Sequence, residues 1–234
     1  MTTDDKSAAG VPAISAPPPP EQMFPDPRLQ AAARAAARGD VQKIRDIVAR
    51  SASDPAGPVD LEAASPSGAN LLMYAIITRS EVAVRSLIEV GADPDHLTPR
   101  GDSPLLAAAL LDDPRFLGLL LDHGGNPDLK TLRGEPLLLQ IITYLRWDSL
   151  RLLLDRGANI DATDALGQTA VLMLARLNQY EEVHRLLARG ADPHHVDVTG
   201  ATLRSQAARP LPRQDSPQEA WRKRVVERIE GVAG

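Results

Sequence analysis

The chain has 234 residues, a formal net charge of −5 and a pI near 5.6, which excludes a broad basic surface for nucleic acid. It contains no cysteine, so disulfides and thiol catalysis are excluded. No apolar run reaches about 18 residues, so no membrane span is predicted. Aromatic residues make up only 3% of the chain. A core of Leu, Ala, Val and Ile therefore favours thin, stacked helices over one bulky centre.

Residues 1–25 are rich in Pro, Ala and Ser and include the run Pro17–Pro20. Such a composition buries too little apolar surface to offset the entropy of ordering, so we predict a disordered or polyproline-like segment. A linker is the favoured interpretation of the proline run, and an SH3-type ligand is the alternative. As written, the segment lacks the apolar stretch of a signal peptide, which predicts a cytoplasmic protein. A signal that has been removed or mis-annotated would make the protein periplasmic instead.

Residues 26–66 are predicted to cap a helical domain that spans residues 26–231. Two helices, Leu29–Arg38 and Val41–Arg50, are separated by the turn Gly39-Asp40. The loop over 51–66 holds seven more residues than the corresponding part of the units downstream. A connection of that length is expected to be either functional or mobile.

Residues 67–209 carry two interleaved sets of glycines, each with a spacing of 33 residues. The first set is Gly68, Gly101, Gly134, Gly167 and Gly200, and the second set is Gly91, Gly124, Gly157 and Gly190. Two sets at one spacing indicate a supersecondary unit copied along the chain. The first set suits the tight turn of a β-hairpin finger. The second set suits the position after a helix, where φ > 0 favours glycine.

Helix starts follow the turn glycines at the same spacing. The polar N-caps are Asn70, Ser103, Thr169 and Thr202. Pro104 and Pro136 fit the first helical turn, where a missing N–H is tolerated. A second helix is expected to begin near Glu81, Pro114, Trp147 and Tyr180, with caps at Ser80 and Asp113. Each unit is thus predicted to be a hairpin, a short helix, a turn and a longer helix.

A C-terminal capping helix is predicted over residues 216–231. Ser216–Glu219 has the pattern of a capping box with proline in the first turn. Trp221, Val225 and Ile229 recur every four residues as an apolar stripe, with Arg222 on the outside. The stripe is expected to cover the open end of the core, since terminal repeats present a polar outer face. A partner-binding helix is the alternative.

These motifs resemble the ankyrin repeat over about residues 28–208. Gly157–Ala162 and Gly190–Pro193 are similar to the glycine-alanine-aspartate stretch that closes an ankyrin unit, and Gly167–Leu172 resembles its opening. The resemblance implies an all-α repeat solenoid, an ankyrin-repeat array with short β-hairpin fingers and helical caps. One departure concerns the glycine usually found between the two helices, and the residues at that position are Arg79, Asp112, Leu145 and Asn178.

No pattern in the chain indicates a catalytic centre. There is no nucleophile elbow, and the glycines are evenly spaced rather than clustered around a phosphate. His194, His195 and Asp197 are the candidate metal ligands, but adjacent residues on an extended arm point to opposite faces. We therefore expect no metal, no cofactor and no enzyme activity.

The ankyrin resemblance implies that a partner contacts the finger tips and the exposed side of the first helices. The helix positions are Ile77, Thr78, Leu110, Leu111, Thr143, Tyr144, Arg176 and Leu177. The finger positions are Arg100, Asp102, Leu132, Arg133, Glu135, Leu166 and Gln168. Exposed apolar residues in such a column indicate an interaction site. The alternative is that several turn inward because the glycine between the helices is missing.

We therefore predict a non-catalytic protein-binding module that acts through a concave face and is a monomer when free. The array also looks like bacterial ankyrin proteins that act as immunity partners of antibacterial phospholipase effectors from type VI secretion systems. That likeness implies a lipase-type effector as the partner. The alternatives are an intracellular scaffold or regulatory subunit for an endogenous protein, and an unrecognised enzyme.

Overall fold

The computed structural model describes residues 18–213 and 215–231. It divides into two compact units, with the boundary between Leu111 and Asp112. We call these the first unit and the second unit. Within the described residues, the secondary structure consists of thirteen helices and two isolated β-bridges. None of these helices is long and apolar enough to cross a membrane.

The first unit holds six helices in two layers. They are α1 (Pro20–Met23), α2 (Pro27–Arg38), α3 (Val41–Ser51), α4 (Leu71–Ile77), α5 (Glu81–Glu89) and α6 (Pro104–Ala109). Helices α2, α4 and α6 pack side by side and form the inner layer of this unit. Helices α3 and α5 pack behind them as the outer layer. The core between the layers is almost entirely aliphatic, as the low aromatic content predicts.

The second unit repeats the arrangement with seven helices. They are α7 (Arg115–Asp122), α8 (Leu137–Thr143), α9 (Trp147–Asp155), α10 (Ala170–Arg176), α11 (Tyr180–Ala188), α12 (Leu203–Ala207) and α13 (Pro217–Ile229). Here α8, α10 and α12 form the inner layer. In the outer layer, α7 packs on α9, and α11 packs on α13.

Most helices begin where the sequence predicts. Asn70 and Ser103 accept hydrogen bonds from the third backbone N–H of α4 and α6, each at 3.0 Å, and Ser80 caps α5. Two caps differ from the prediction. Thr169 makes no side-chain capping bond, and α7 begins after Pro114, with Asp113 accepting from the N–H of Arg115 at 3.0 Å.

All nine glycines of the two sets have positive φ, which confirms that the 33-residue spacing marks backbone positions closed to most L-residues. The position between the two helices of a unit is also left-handed. Gly39 has φ 69° there, and three non-glycine residues adopt the same conformation: Arg79 (57°), Leu145 (57°) and Asn178 (58°). The backbone reversal is therefore kept where glycine is lost. Asp112, at the same position after α6, does not adopt the left-handed conformation, because its φ is not positive.

The fingers are turns rather than the predicted β-hairpins. Each closes with two backbone bonds, as in Gly134 N–H to Thr131 O (2.8 Å) and Thr131 N–H to Glu135 O (2.9 Å). Within the described residues, strand pairing is limited to the single bridges Lys130–Pro136 and Val196–Thr202. The arms are too short for a ladder. In four of the five fingers the side chain of the first turn residue also accepts from the turn N–H groups, as Thr131 Oγ1 does from Glu135 N at 3.1 Å. Thr98 is the exception, because its Oγ1 makes no hydrogen bond.

The ordered fold begins earlier than residue 26. Helix α1 lies inside the segment predicted to be disordered, and its Met23 and the following Phe24 are 4% and 1% exposed. These two side chains bury apolar area, although the composition of residues 1–25 as a whole is poor in large apolar residues. The prediction is therefore wrong for residues 18–25, and residues 1–17 lie outside the described residues.

The long loop after α3 is anchored rather than loose. Arg28 Nη1 donates to the carbonyl of Gly57 at 2.7 Å, and Val59 is buried. Glu62 accepts from the side chain of Asn70 (2.7 Å) and from the backbone N–H of Asp93 (2.8 Å). The end of the loop leads into the first finger, whose turn Ser65–Ala69 is closed by the same two backbone bonds as the later turns.

At the C-terminal end of the described residues, α13 packs on α11 and α12, and its polar contacts differ from the predicted ones. Val225 is fully buried, while Trp221 and Ile229 are half-buried. The capping box is incomplete: Ser216 accepts from the N–H of Glu219, but the Glu219 carboxylate turns inward instead of returning to Ser216. It binds Arg222, which the stripe pattern had placed outside.

Candidate functional site

In the second unit, the predicted helix positions are open to solvent at the C-terminal ends of α8 and α10. Tyr144 and Leu177 are 42% and 44% exposed, and their neighbours Thr143 and Arg176 are exposed as well. Tyr144 and Leu177 are C-cap residues, and each is followed by a left-handed residue. The chain reverses at that residue and enters the outer helix, so the preceding side chain stays outside the core.

In the first unit, the corresponding positions are largely closed. Ile77, Thr78 and Leu110 are half-buried, and Leu111 is only 3% exposed. The prediction that Leu111 contacts a partner is wrong. The connection after α6 lacks the left-handed reversal found after α4, because residue 112 has no positive φ. Leu111 donates its N–H to Ala108 O at 3.2 Å, and its side chain is part of the core.

Among the finger positions of the second unit, Leu132, Arg133 and Leu166 are exposed and Glu135 is half-buried. Gln168 is 8% exposed, so its prediction as a contact residue is also wrong. It lies in the closing arm of its finger, where its N–H donates to Asp164 Oδ1 at 2.8 Å. The tip of the turn projects, and the closing arm runs back into the core.

The finger of the first unit carries Arg100, which is exposed, and Asp102, which is half-buried. Both side chains lie over Gly68 in the preceding turn. A Cβ atom built on Gly68 would lie 2.6 Å from Arg100 Cδ and 3.1 Å from Asp102 Oδ2. Position 68 favours glycine because of its φ of 94°, and any other side chain there would also have to displace the flexible Arg100 side chain.

The structure adds three exposed apolar residues that the sequence reasoning missed: Leu145 (43%), Val196 (55%) and Val198 (70%). Val198 follows Leu132 by two repeat periods, so the 33-residue spacing held the signal for it. Its N–H donates to the carbonyl of Leu166 at 3.0 Å, which joins two successive fingers. Leu166 and Val198 are thereby presented side by side.

Large exposed hydrophobic side chains are concentrated in the second unit. Among the described residues of the first unit, Val82 is the one large apolar residue whose side chain is exposed. We call the following set the apolar surface set of the second unit: Leu132, Tyr144, Leu145, Leu166, Leu177, Val196 and Val198. This asymmetry makes the second unit the better candidate for a binding surface.

Arg176 is exposed, but an ion pair fixes its guanidinium. Its Nη2 lies 2.6 Å from Asp197 Oδ2 at the base of the next finger. The same carboxylate accepts from Thr199 Oγ1 at 2.6 Å and from the N–H of Ala201 at 3.0 Å. The Thr199 hydrogen bond, with smaller contributions from these neighbours, lowers the pKa of Asp197. The pair links α10 to the finger after it.

The candidate metal ligands are engaged in other contacts. A ring nitrogen of His195 lies 2.7 Å from the carbonyl of Gly167, and the N–H of His194 binds Asp192. The carboxylate of Asp197 is held by Arg176. Across the described parts of the chain, no group of three His, Cys, Asp or Glu side chains is arranged to hold a metal ion.

Glu182 is a buried carboxylate between α9 and α11. Burial raises its pKa, while Arg185 (2.8 Å) and Arg151 (3.5 Å) oppose that rise. It borders a groove of about 280 Å³ with an apolar floor and an arginine rim. Each rim arginine is paired with a carboxylate, including Arg189 with Asp155 at 2.7 Å. The pairs of Arg151 with Glu182 and of Arg189 with Asp155 connect α9 to α11.

No protein-family model and no curated protein sequence matches this chain. Among solved structures, it is similar to EF0377, an ankyrin repeat protein, with TM-score 0.64 and 22% identity over 88% of this chain and 98% of that one. It is similar to the ankyrin repeat domain of Bcl-3, with TM-score 0.65 and 24% identity over 76% and 78% of the two chains. It is also similar to an ankyrin repeat domain from Acinetobacter baumannii AYE, with TM-score 0.63 and 25% identity over 86% and 96%. The chain therefore has the ankyrin-repeat fold.

Proposed function

We propose that the chain is a non-catalytic protein-binding module and that its partner contacts the apolar surface set of the second unit. The observation that carries this proposal is the exposure of Tyr144, Leu177 and the aliphatic finger tips on one unit. Stacked repeats present an extended surface suited to such a partner. Exposed apolar clusters rimmed by polar groups are typical of interaction sites.

The side chains in this set have the properties of anchors. Tyr144 is an aromatic residue with a polar tip, a type favoured at the centre of interfaces. Its backbone is fixed, because the N–H groups of Leu145 and Arg146 bind carbonyls of α8 at 3.0 and 3.1 Å. Arg176 is already held by Asp197. The backbone at Tyr144 and the neighbouring Arg176 side chain are therefore already ordered before a partner binds, which lowers the entropy cost of binding.

The experiment is an affinity capture with three versions of the full chain. The wild type, the variant Tyr144→Ser with Leu177→Ser, and the control Val82→Ser are immobilised and exposed to a lysate of the native organism. We expect the wild type and the control to retain the same protein and the double variant to lose it. Val82 is a matched control, since it is 53% exposed and lies on α5 of the first unit. Equal capture by all three would overturn the proposal.

A narrower form of the proposal names a phospholipase effector as the partner, and its support is the sequence likeness described above. Its test is separate. The purified chain is added to a purified effector of this class, and lipid hydrolysis is measured. Inhibition that saturates at one chain per effector, and is lost with Tyr144→Ser and Leu177→Ser, is expected. Full lipid hydrolysis in the presence of excess chain would exclude a phospholipase effector as the partner. The broader proposal of a protein-binding module would not be affected.

A further inference from the structure

Residues 20–24 pack on the inner layer of the first unit. Helix α1 and the following Phe24 lie against α2 and reach α4. The Phe24 ring meets the ring of Tyr74 edge to face, with centroids 6.0 Å apart and planes at 77°. Met23 and Phe24 together lose nearly all of their exposure.

Tyr74 marks the surface that this segment covers. It lies one helical turn before Ile77 and Thr78, on the side of α4 predicted to face a partner. The residues at the same position in later repeats, Ala107, Gln140 and Met173, are all half-buried. Tyr74 is the largest side chain of the four but is only 4% exposed, and that burial raises its pKa. The added cover comes from Phe24.

The contacts of the segment with the rest of the unit are made mainly by side chains. Gln30 Nε2 donates to the carbonyl of Phe24 at 2.9 Å, and Arg34 forms an ion pair with Glu21. The backbone bonds of α1, from Phe24 to Pro20 and from Gln22 to Pro19, stay within the segment. A short tether, Pro25-Asp26, joins it to α2. The segment can therefore leave its groove without breaking the helices beneath it.

We propose that residues 20–24 are an intramolecular ligand of the inner layer of the first unit, and that the groove beneath them accepts the same chemistry from a partner. The expected ligand is a peptide that forms one helical turn and carries two adjacent large apolar side chains. An acidic residue before them would form an ion pair with Arg34. The covalent tether gives the internal segment a high effective concentration, so it excludes competitors until it is released. This inference rests on the proposed function only in taking a protein as the competing ligand, and the covered surface and its occupant can be tested without that protein.

The test uses a fluorescent peptide of residues 18–26 and the full chain. Fluorescence anisotropy measures peptide binding to the wild type, to Met23→Ser with Phe24→Ser, and to the control Gln22→Ser, whose side chain is exposed on the same helix. We expect at least tenfold tighter binding to the double variant than to the other two chains. The same peptide with Phe24→Ser should not bind. Equal affinity for all three chains, or no binding to a double variant with a native circular dichroism spectrum, would overturn the proposal.

A second series leaves the buried side chains in place. Glu21→Arg reverses one half of the ion pair with Arg34, and Gln22→Arg is its control. We expect the chain with Glu21→Arg to bind the unmodified peptide more tightly than the control chain does. We also expect it to bind the peptide several-fold less tightly than the Met23→Ser, Phe24→Ser chain does. Adding Arg34→Glu to Glu21→Arg should restore the internal contact and weaken binding of the peptide again. Identical binding across this series would contradict the proposed contact. The capture with Tyr144→Ser and Leu177→Ser is unaffected by either result, so the two proposals fail separately.

Discussion

Glu219 and Arg222 form an ion pair inside the C-terminal cap, with Arg222 Nη2 2.7 Å from Glu219 Oε1. The carboxylate is fully buried and also accepts from the backbone N–H of Leu211 at 3.1 Å. Arg222 donates in addition to the carbonyl of Ala207 at the end of α12. The pair therefore joins α13 to α12 and to the chain between them.

The first prediction concerns acid stability. The pKa of Glu219 is lowered from 4.5 to about 2, mainly because its carboxylate accepts hydrogen bonds from Arg222. Burial opposes this change, and the N–H of Leu211 adds to it. Because the folded pKa lies below the unfolded one, the carboxylate stabilises the fold above pH 4.5 and loses that effect as the pH falls towards 2. We expect Glu219→Gln to lower the free energy of unfolding near neutral pH by about 1.5–3 kcal/mol. It should also flatten the loss of stability between pH 5 and 2.

Urea unfolding of the wild type, Glu219→Gln and Glu227→Gln at several pH values checks this prediction. Glu227 is exposed on the same helix and serves as the control. A wild-type acid profile that survives unchanged in Glu219→Gln would show that other carboxylates dominate.

The second prediction concerns the glycine that follows α7. Gly124 has φ 94°, and a Cβ atom there would meet nothing within 4 Å, so the cost of a side chain is backbone strain alone. We expect Gly124→Val to cost about 1–3 kcal/mol of stability. Arg133→Ala, on an exposed finger tip, should change it by less than about 0.5 kcal/mol. Equal melting temperatures for the two variants would contradict the assignment.

The third prediction concerns the left-handed residues between helices. Arg79 and Leu145 hold φ 57° at a position where Gly39 holds 69°. Replacing either by glycine relieves strain of about 1–3 kcal/mol, less about 0.5–1 kcal/mol for the added entropy of the unfolded chain. We expect Arg79→Gly and Leu145→Gly to raise the urea midpoint, and Asn178→Gly to raise it less because Asn tolerates this conformation. Leu177→Gly, one residue before the left-handed site, should not raise it.

The fourth prediction concerns the N-terminal segment. The composition of residues 1–25 implied that their deletion leaves thermal stability unchanged, but the burial of Met23 and Phe24 reverses that expectation. We expect Phe24→Ala to cost about 1.5–3 kcal/mol, the value of burying one large apolar side chain. Gln22→Ala on the exposed side of α1 is the control. Thermal melts that are identical for both variants would show that the segment contributes no stability.

The fifth prediction separates binding from stability. Tyr144→Ala with Leu177→Ala should weaken partner binding by about 2 kcal/mol or more while leaving the urea midpoint near that of the wild type. Leu153→Ala should instead cost about 2–5 kcal/mol of stability, because Leu153 is fully buried. Leu111→Ala should also lower stability, as Leu153→Ala does, because the side chain of Leu111 is in the core. Normal binding by the double variant would exclude its residues from the interface.

The sequence by itself determined the repeat and its period. Glycines such as Gly91 and Gly124 are visible in the sequence because φ > 0 is a local backbone requirement that few other residues meet. The N-caps at Asn70 and Ser103 are visible for a similar reason, since each satisfies backbone N–H groups three residues away. From these local signals follow the helix order, the aliphatic core and the ankyrin fold.

The tertiary structure decided which side chains remain on the surface. Leu111 and Leu177 occupy the same repeat position, two periods apart, yet one is buried and the other is 44% exposed. The difference arises because only Leu177 precedes a left-handed residue. The contact between Phe24 and Tyr74, about fifty residues apart in the chain, leaves no periodic mark in the sequence. Local patterns record what each residue requires of its own backbone. Exposure depends on what the rest of the fold places over that residue.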